Sequence, residues 1–161
     1  MEKLSISFDL YTYESLVKLP LEDQSLLQKA IKSRNKAYAP YSSFKVGAAV
    51  LLENGEVVLG NNQENASYPS GLCAERVAVF QAGACFPGIA IKAIAISAAS
   101  ELYILNKPAA PCGNCRQSIA EYEHKQKSPI RILMMGSTGP VYKINSLADI
   151  LPLGFESSYL K

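Results

Sequence analysis

Three cysteines and one glutamate form the part of the sequence best suited to chemistry. Cys73 is followed two residues later by Glu75, and Pro111 introduces a second pair of thiols, Cys112 and Cys115. Three thiolates can bind one zinc ion and leave its fourth coordination position open, whereas a fourth protein ligand would close the site. An open position can activate water, and a carboxylate beside it can move protons. The spacing therefore predicts a zinc site with hydrolytic chemistry.

Both thiol motifs lie where helices are predicted to begin. A loop with proline and glycine precedes Cys73, and a helical pattern follows over residues 76–84. Cys112 and Cys115 are spaced i and i+3 at the start of a helix predicted over residues 112–125, so their sulfurs lie on one side of its first turn. One metal ion can then bridge the two helix ends.

Positive charge near the sulfurs is needed, because three thiolates around Zn²⁺ leave a net negative charge that weakens the metal as a Lewis acid. The partial positive charges of two helix N-termini offset part of it. Arg76 directly follows Glu75 and can donate a hydrogen bond to a sulfur, as can Arg116 after the second motif. His124 is the only histidine and lies in a charged helix end, so it is expected at the surface and outside the ligand set.

Three other interpretations use the same residues. Glu75 can serve only the dipole of its helix, as acidic residues in a first helical turn often do. Cys85 can complete a closed four-cysteine zinc module without catalysis, although its most direct interpretation is a small packed residue. Cys112 and Cys115 can also act as a redox pair, which would need no zinc.

Length and charge distribution favour a single domain and a small-molecule substrate. The 161 residues carry a net charge of +2, and the basic residues do not form the dense stripe typical of nucleic-acid binding. No signal peptide is evident, and no apolar run reaches the about 18 residues of a membrane span. We therefore expect a cytoplasmic protein, in which reducing conditions keep the thiols available for zinc.

Hydrophobic periodicity predicts a mixed central sheet with helices on both faces, in three α/β/α layers. Strands are predicted over residues 4–10, 44–52, 57–61, 89–97, 103–105, 130–135 and 141–144. Helices are predicted over residues 21–39, 76–84 and 112–125, with a last short one that Asn145 or Ser146 caps. Asn54 and Gly55 predict a tight hairpin, and residues 1–20 read as an N-terminal extension.

Four longer motifs accompany these features over roughly residues 38–151. They read Ala39-Pro40-Tyr41-Ser42-x-Phe44-x-Val46-Gly47-Ala48-Ala49, Asn62-x-Glu64-Asn65-Ala66-x-Tyr68-Pro69, Cys73-Ala74-Glu75-Arg76 and Pro111-Cys112-Gly113-x-Cys115-Arg116-Gln117. Together they resemble the small, homotetrameric, zinc-dependent cytidine deaminases of the three-cysteine type. The resemblance implies a cytidine deaminase-like fold and hydrolysis of cytidine or 2′-deoxycytidine to the uridine, a step of pyrimidine salvage.

The resemblance also implies roles for individual residues. Cys73, Cys112 and Cys115 match the ligands of one zinc ion per subunit, and Glu75 matches the residue that moves protons in zinc deaminases. Arg76 follows the first motif as a partner of the sulfurs. The rival substrate within the class is blasticidin S, an antibiotic that carries a cytosine.

Further matches concern substrate contacts within one subunit. Asn62 and Glu64 resemble a ribose-binding pair, Phe44 an aromatic wall, and the Ala74 backbone a contact to the base. Phe44 as a core residue and Asn62 as a turn residue are the alternatives. A carboxylate such as Glu64 would repel a nearby phosphate in a shielded site, which favours a nucleoside over a nucleotide.

The remaining matches imply active sites shared between subunits of a homotetramer. Ala66 and Tyr68 match positions that reach a neighbouring subunit's pocket. Phe155 resembles a tail aromatic that stacks over the base from another subunit, with a core residue as the alternative. The segment from Asn62 to Tyr68 favours a plain nucleoside over the antibiotic.

Overall fold

A computed structural model describes residues 1–160 and contains one six-stranded sheet. Its strands are β1 (Tyr11–Tyr13), β2 (Phe44–Leu52), β3 (Val57–Asn61), β4 (Ile91–Ser100), β5 (Arg131–Met135) and β6 (Val141–Ile144). They lie side by side in the order β1-β6-β5-β4-β2-β3. β4 and β5 are parallel and all other neighbours are antiparallel, so the predicted mixed sheet is confirmed.

Three helices cover the two faces of the sheet. They are α1 (Leu21–Arg34), α2 (Ala74–Cys85) and α3 (Gly113–Gln126). Leu27 of α1 belongs to the apolar cluster on one face, whereas Val79 of α2 and Ile119 of α3 belong to the cluster on the other, and all three are fully buried. Each buried aliphatic side chain of this size contributes roughly 1.5–3 kcal/mol relative to an exposed one. The three-layer α/β/α arrangement is therefore confirmed.

Small residues let α1 approach the sheet closely. On the α1 side, β2 and β4 present alanines such as Ala49 and Ala95, whereas Val50 and Ile94 point to the other face. A Cβ on Gly47 would come within 2.1 Å of the backbone oxygen of Ala30 in α1. Both faces of these strands are buried, so the strands read as continuous apolar runs rather than as an alternation.

Gly60 in β3 lies directly against the first turns of α2. An added methyl group would come within 2.3 Å of the Ala74 oxygen and 2.6 Å of the Ala78 nitrogen. We expect Gly60→Ala to lower the free energy of unfolding by about 1–3 kcal/mol, because α2 has to move away. Urea denaturation measures the change. Gly113→Ala is the control, since its added carbon would meet no described atom within 4 Å apart from its chain neighbours and the backbone of its own helix. Equal losses in both variants would contradict the prediction.

The N-terminal strand lies elsewhere than predicted. The strand expected over residues 4–10 is absent, and β1 is formed by the next residues, whose Tyr11 pairs with Lys143. A strand needs a partner for its backbone N–H and C=O groups. Because β6 ends at Ile144, which the register places opposite Leu10, residues before Leu10 find no partner strand within the described chain. The prediction of a strand over residues 4–10 is therefore wrong.

Two other differences arise from contacts distant in sequence. Helix α1 ends at Arg34 instead of near residue 39, because Tyr38 leaves the helix to donate to the Asn62 carbonyl (3.0 Å) and to accept from Glu64 (2.9 Å). The strand expected at residues 103–105 does not form, because the backbone of Leu105 pairs with a turn 32 residues away: its nitrogen donates to the Ser137 hydroxyl (3.0 Å) and its carbonyl accepts from the Ser137 nitrogen (2.8 Å).

The other predicted strands and helices are confirmed within a few residues. The short C-terminal helix is a 3₁₀ turn over Leu147–Ile150, and Ser146 rather than Asn145 caps it. Another 3₁₀ turn, Ser157–Leu160, occupies the tail. Over residues 1–160, no helix combines the length and apolar character needed to cross a membrane.

Candidate active site and metal centre

The first turns of α2 and α3 bring the three predicted ligands together. Cys73 is the N-cap of α2, Cys112 is the N-cap of α3, and Cys115 lies in the first turn of α3. The Sγ atoms of Cys73 and Cys112 are 3.9 Å apart, and those of Cys112 and Cys115 are 3.6 Å apart. Tetrahedral zinc with bonds of about 2.3 Å to sulfur needs sulfurs about 3.8 Å apart. The three thiols therefore fit zinc.

No fourth cysteine or histidine completes the site. Within residues 1–160, the three cysteines are the only group of at least three potential ligands close enough to share an ion. Cys85 is at the opposite end of α2, about 18 Å along the helix axis from Cys73. The four-cysteine module is therefore wrong, and so is the expectation that Cys85 is packed, because its side chain is exposed. His124 lies 3.5 Å from Glu156, remote from the sulfurs in sequence and outside the ligand group.

The thiols of Cys73 and Cys115 differ in acidity. A hydrogen bond from Cys115, together with Arg76 and Cys112, lowers the pKa of the Cys73 thiol to about 5. The pKa of Cys115 is raised because its thiol donates to Cys73 and is partly shielded from water. Thiolate character therefore begins on Cys73. Since zinc binds thiolates, the cluster is prepared to exchange its protons for the metal.

Arg76 is the cation nearest to this charge. Although burial opposes its charge, hydrogen bonding and attraction from Cys73 raise the pKa of Arg76. One terminal nitrogen is 3.4 Å from the Gly71 carbonyl, and the buried Nε has no hydrogen-bond partner in the described chain. The arrangement agrees with the predicted role of Arg76 beside the sulfurs.

Arg76→Ala is expected to weaken zinc binding by roughly 10- to 100-fold, because the thiolates lose their neighbouring cation. Competition with a chromogenic chelator measures the affinity. Lys125→Ala removes an exposed positive charge near the other end of α3 and should leave the affinity unchanged. Unaltered zinc affinity and turnover in Arg76→Ala would remove this residue from the site.

Arg116 has a role that its position beside Cys115 did not indicate. Its Nε donates to the Pro111 carbonyl and a terminal nitrogen donates to the Ile150 carbonyl, both at 2.8 Å. The side chain thus ties the loop before Cys112 to the C-terminal 3₁₀ turn instead of donating to a sulfur. No sequence signal pointed to Ile150, which is 34 residues away.

Glu75 lies in the first turn of α2, directly beside the metal ligands in sequence. Its side chain is buried, with 5% of the residue exposed, and Ala74 before it is fully buried. Burial raises the pKa of Glu75, and the negative charge of Cys73 raises it further. A carboxyl group with a raised pKa can accept and release a proton closer to neutral pH. The location fits the predicted proton carrier.

The predicted ribose and base contacts meet at the beginning of β2 and the end of β3. Asn62 accepts a hydrogen bond from the Val46 nitrogen (2.7 Å) and donates one to the Phe44 carbonyl (2.9 Å), so its amide holds the start of β2. Phe44 itself is partly buried. Asn62 is thus a structural residue as well as a predicted ligand contact.

Glu64 holds the loop that precedes β2. Its carboxylate accepts from the nitrogens of Tyr41 (2.9 Å) and Ser42 (3.3 Å) and from the Ser42 hydroxyl. These hydrogen bonds lower the pKa of Glu64, with the Ser42 hydroxyl as the main cause. The side chain is therefore anionic at neutral pH. A carboxylate has about four acceptor positions, so further hydroxyl groups can be bound.

The residues predicted to reach another subunit lie on the surface. Ala66 is exposed, Tyr68 is 92% exposed and Phe155 is 56% exposed. The Phe155 ring stacks on Tyr159 with centroids 5.6 Å apart, and its carbonyl accepts from Gln117 at 2.9 Å. Phe155 is therefore not a core residue of its own chain.

Comparisons with known proteins agree with this geometry. A family model described as "Cytidine and deoxycytidylate deaminase zinc-binding region" matches residues 20–128, which include the three cysteines. The cytidine deaminase of Halalkalibacterium halodurans is 43% identical over 135 residues, which cover 84% of this chain and 95% of that protein. This chain belongs to the cytidine deaminase family.

Solved structures named as cytidine deaminases share the fold. The Burkholderia pseudomallei protein has a TM-score of 0.70 and 41% identity, covering 81% of this chain and 97% of that one. The Mycobacterium tuberculosis protein has a TM-score of 0.65 and 32% identity, covering 85% and 99%. The predicted family and its zinc cofactor are confirmed. Residues 1–19 precede the region that the family model matches.

Proposed function

We propose that this chain is a zinc-dependent cytidine deaminase that hydrolyses cytidine and 2′-deoxycytidine at C4 of the base. Water adds, ammonia leaves, and the corresponding uridine nucleoside forms. The observation that carries the proposal is the trio of sulfurs at two helix N-termini, with the buried Glu75 beside it and, in the part of the chain that the structure describes, no fourth cysteine or histidine. Bound zinc supplies Lewis-acid activation of the attacking water.

Glu75 moves the protons of the reaction. Its carboxylate takes one proton from the attacking water and passes it to N3 of the base. It then takes the second proton from the hydroxyl group now on C4 and gives it to the departing amine, so that C4=O forms as the C4–N bond breaks. Burial suits this cycle because it lowers the cost of holding the proton between steps. The Ala74 backbone, in the same buried turn, contacts the base and orients C4 towards the sulfurs.

Asn62 and Glu64 bind the ribose, and Phe44 lines the pocket. The hydrogen bonds from Tyr41 and Ser42 support the ribose role because they hold the Glu64 carboxylate in place before substrate arrives. Its negative charge disfavours a phosphate at the neighbouring position of the sugar. The substrate is therefore a nucleoside rather than a nucleotide.

The active sites are shared in a homotetramer. The exposure of Tyr68 and Phe155 supports this arrangement, because large aromatic side chains on the surface are suited to cover a ligand at an interface. Ala66 and Tyr68 complete a neighbour's pocket and Phe155 covers the base there. The enzyme acts in cytoplasmic pyrimidine salvage and binds neither nucleic acid nor membrane.

The test is a turnover assay with zinc-loaded protein, followed by the change in ultraviolet absorbance as cytidine becomes uridine. We expect turnover of cytidine and 2′-deoxycytidine and little of cytidine 5′-monophosphate. Absence of turnover with both nucleosides would contradict the proposal. Turnover of blasticidin S alone would identify the antibiotic as the substrate.

Glu64→Gln is expected to lower kcat/KM for cytidine roughly 10- to 100-fold, mainly through KM, because a hydrogen bond from ribose to a charged group is lost. Selectivity against cytidine 5′-monophosphate should fall as well. Ser42→Ala is the matched control, since it loosens the same loop and keeps the carboxylate. If both variants lose the same selectivity, Glu64 acts only on the loop.

A further inference from the structure

Residues 1–10 have a strand pattern without a strand. Leu4, Ile6, Phe8 and Leu10 alternate with Lys3, Ser5, Ser7 and Asp9. The four apolar residues are 85%, 59%, 49% and 46% exposed, respectively. An apolar face of this kind on a soluble chain is a common sign of an interaction surface.

The backbone of this segment is also unpaired. Within the described chain, residues 1–9 make no hydrogen bond to any other residue. They lead directly into β1, which pairs with β6 and forms one edge of the sheet. An open edge with a continuing strand pattern is a template for pairing with another strand. The segment therefore lacks a partner strand.

The segment is complementary to itself when read in the opposite direction. An antiparallel alignment centred on Ile6 places this residue opposite its own copy. Leu4 then lies opposite Phe8 on the same face of the pair. Lys3 of one copy lies opposite Asp9 of the other at each end, so the pair has opposite charges facing each other at two places. This is the relation that a two-fold interface between identical chains requires.

We propose that residues 3–9 pair antiparallel with the same residues of a second copy of this chain, about a two-fold axis at Ile6. The pairing extends β1 towards the N-terminus and joins two sheets edge to edge. A second copy is favoured over an unrelated peptide, because at both ends it places Lys3 opposite Asp9 and Leu4 opposite Phe8. Residues 3–9 lead into the edge strand β1 and include none of the zinc ligands, which lie at the starts of α2 and α3, so this interface does not use the proposed zinc site.

Disulfide cross-linking tests the proposed register. In zinc-loaded protein that carries Cys85→Ser, Ile6→Cys places two thiols opposite each other, with Cα atoms about 4.5–5.5 Å apart, a separation that a disulfide spans. Oxidised glutathione accepts the two electrons and two protons as the S–S bond forms. We expect most chains to become covalent dimers, seen by non-reducing electrophoresis.

Neighbouring positions are the matched controls. Ser5→Cys or Ser7→Cys alone should cross-link at least tenfold more slowly, whereas equal amounts of the two variants mixed together should form a mixed dimer. Little dimer with Ile6→Cys, or equal cross-linking at all three positions, would overturn the proposal. Zinc content and turnover should match the parent protein in every variant, which shows that the fold is intact.

Charge exchange gives a second measurement. Asp9→Lys in the Ile6→Cys chain places two lysines opposite each other at both ends, and cross-linking should slow several-fold. Adding Lys3→Asp restores opposite charges, so the rate should recover. Failure of the double exchange to recover would contradict the register. Failure of the turnover assay, in contrast, would affect the proposed function and leave this interface untouched.

Discussion

Glu75→Gln is expected to lower kcat for cytidine roughly 10²- to 10⁴-fold, the range that general acid–base catalysis contributes. The amide has nearly the same size and remains in the buried first turn of α2, so the packing around Ala74 is kept. It cannot accept the two protons of the attacking water or deliver them to N3 and to the leaving amine. The loss should therefore appear in kcat more than in KM.

The measurement combines steady-state turnover with zinc analysis of the same preparation. Glu121→Gln is the matched control, because this exposed residue makes the same chemical change on α3 away from the sulfurs. A Glu75→Gln protein that keeps its zinc and turns over normally would show that Glu75 serves only the helix dipole.

Cys115→Ser is expected to lower zinc affinity by more than 100-fold and to remove turnover, because a hydroxyl is a poor replacement for a buried thiolate ligand. Cys115 is fully buried in the cluster, whereas Cys85 is exposed at the far end of α2. Cys85→Ser is therefore the matched control and should keep one zinc per chain and full turnover.

Thermal unfolding gives an independent measure of the same loss. A ligand that binds only the folded state stabilises it by about 4 kcal/mol when its free concentration is a thousand times Kd. Zinc should therefore raise the Tm of the parent protein and of Cys85→Ser, and should leave that of Cys115→Ser nearly unchanged. Zinc-free parent protein that is purified without chelator would instead favour a redox pair of Cys112 and Cys115.

Local patterns were sufficient for many individual elements. The bounds of β2 and β3 follow from apolar runs on either side of Asn54 and Gly55, which favour a tight turn. The positions of Cys73 and Cys112 at helix starts follow from the proline and glycine before one motif and the proline before the other. These signals act between residues that are neighbours in the chain, so the sequence can be read directly.

Contacts between distant parts of the fold explain where the structure differs from the sequence-based predictions. Tyr38 ends α1 early because it pairs with Asn62 and Glu64, which follow β3. Arg116 donates to Ile150, which no motif indicates. The exposure of Cys85 depends on which side of the last turn of α2 faces the sheet. Each outcome requires a partner that is distant in sequence.

By itself, the sequence determined the ligand types, the acid beside the first thiol, the helix starts and the family. Only the tertiary structure placed Cys73 within 3.9 Å of Cys112 and excluded Cys85 from the site. The physical reason is that residue type and local backbone preference are encoded over a few neighbours, whereas a metal site needs the packing of α2 and α3 on the same face of one sheet.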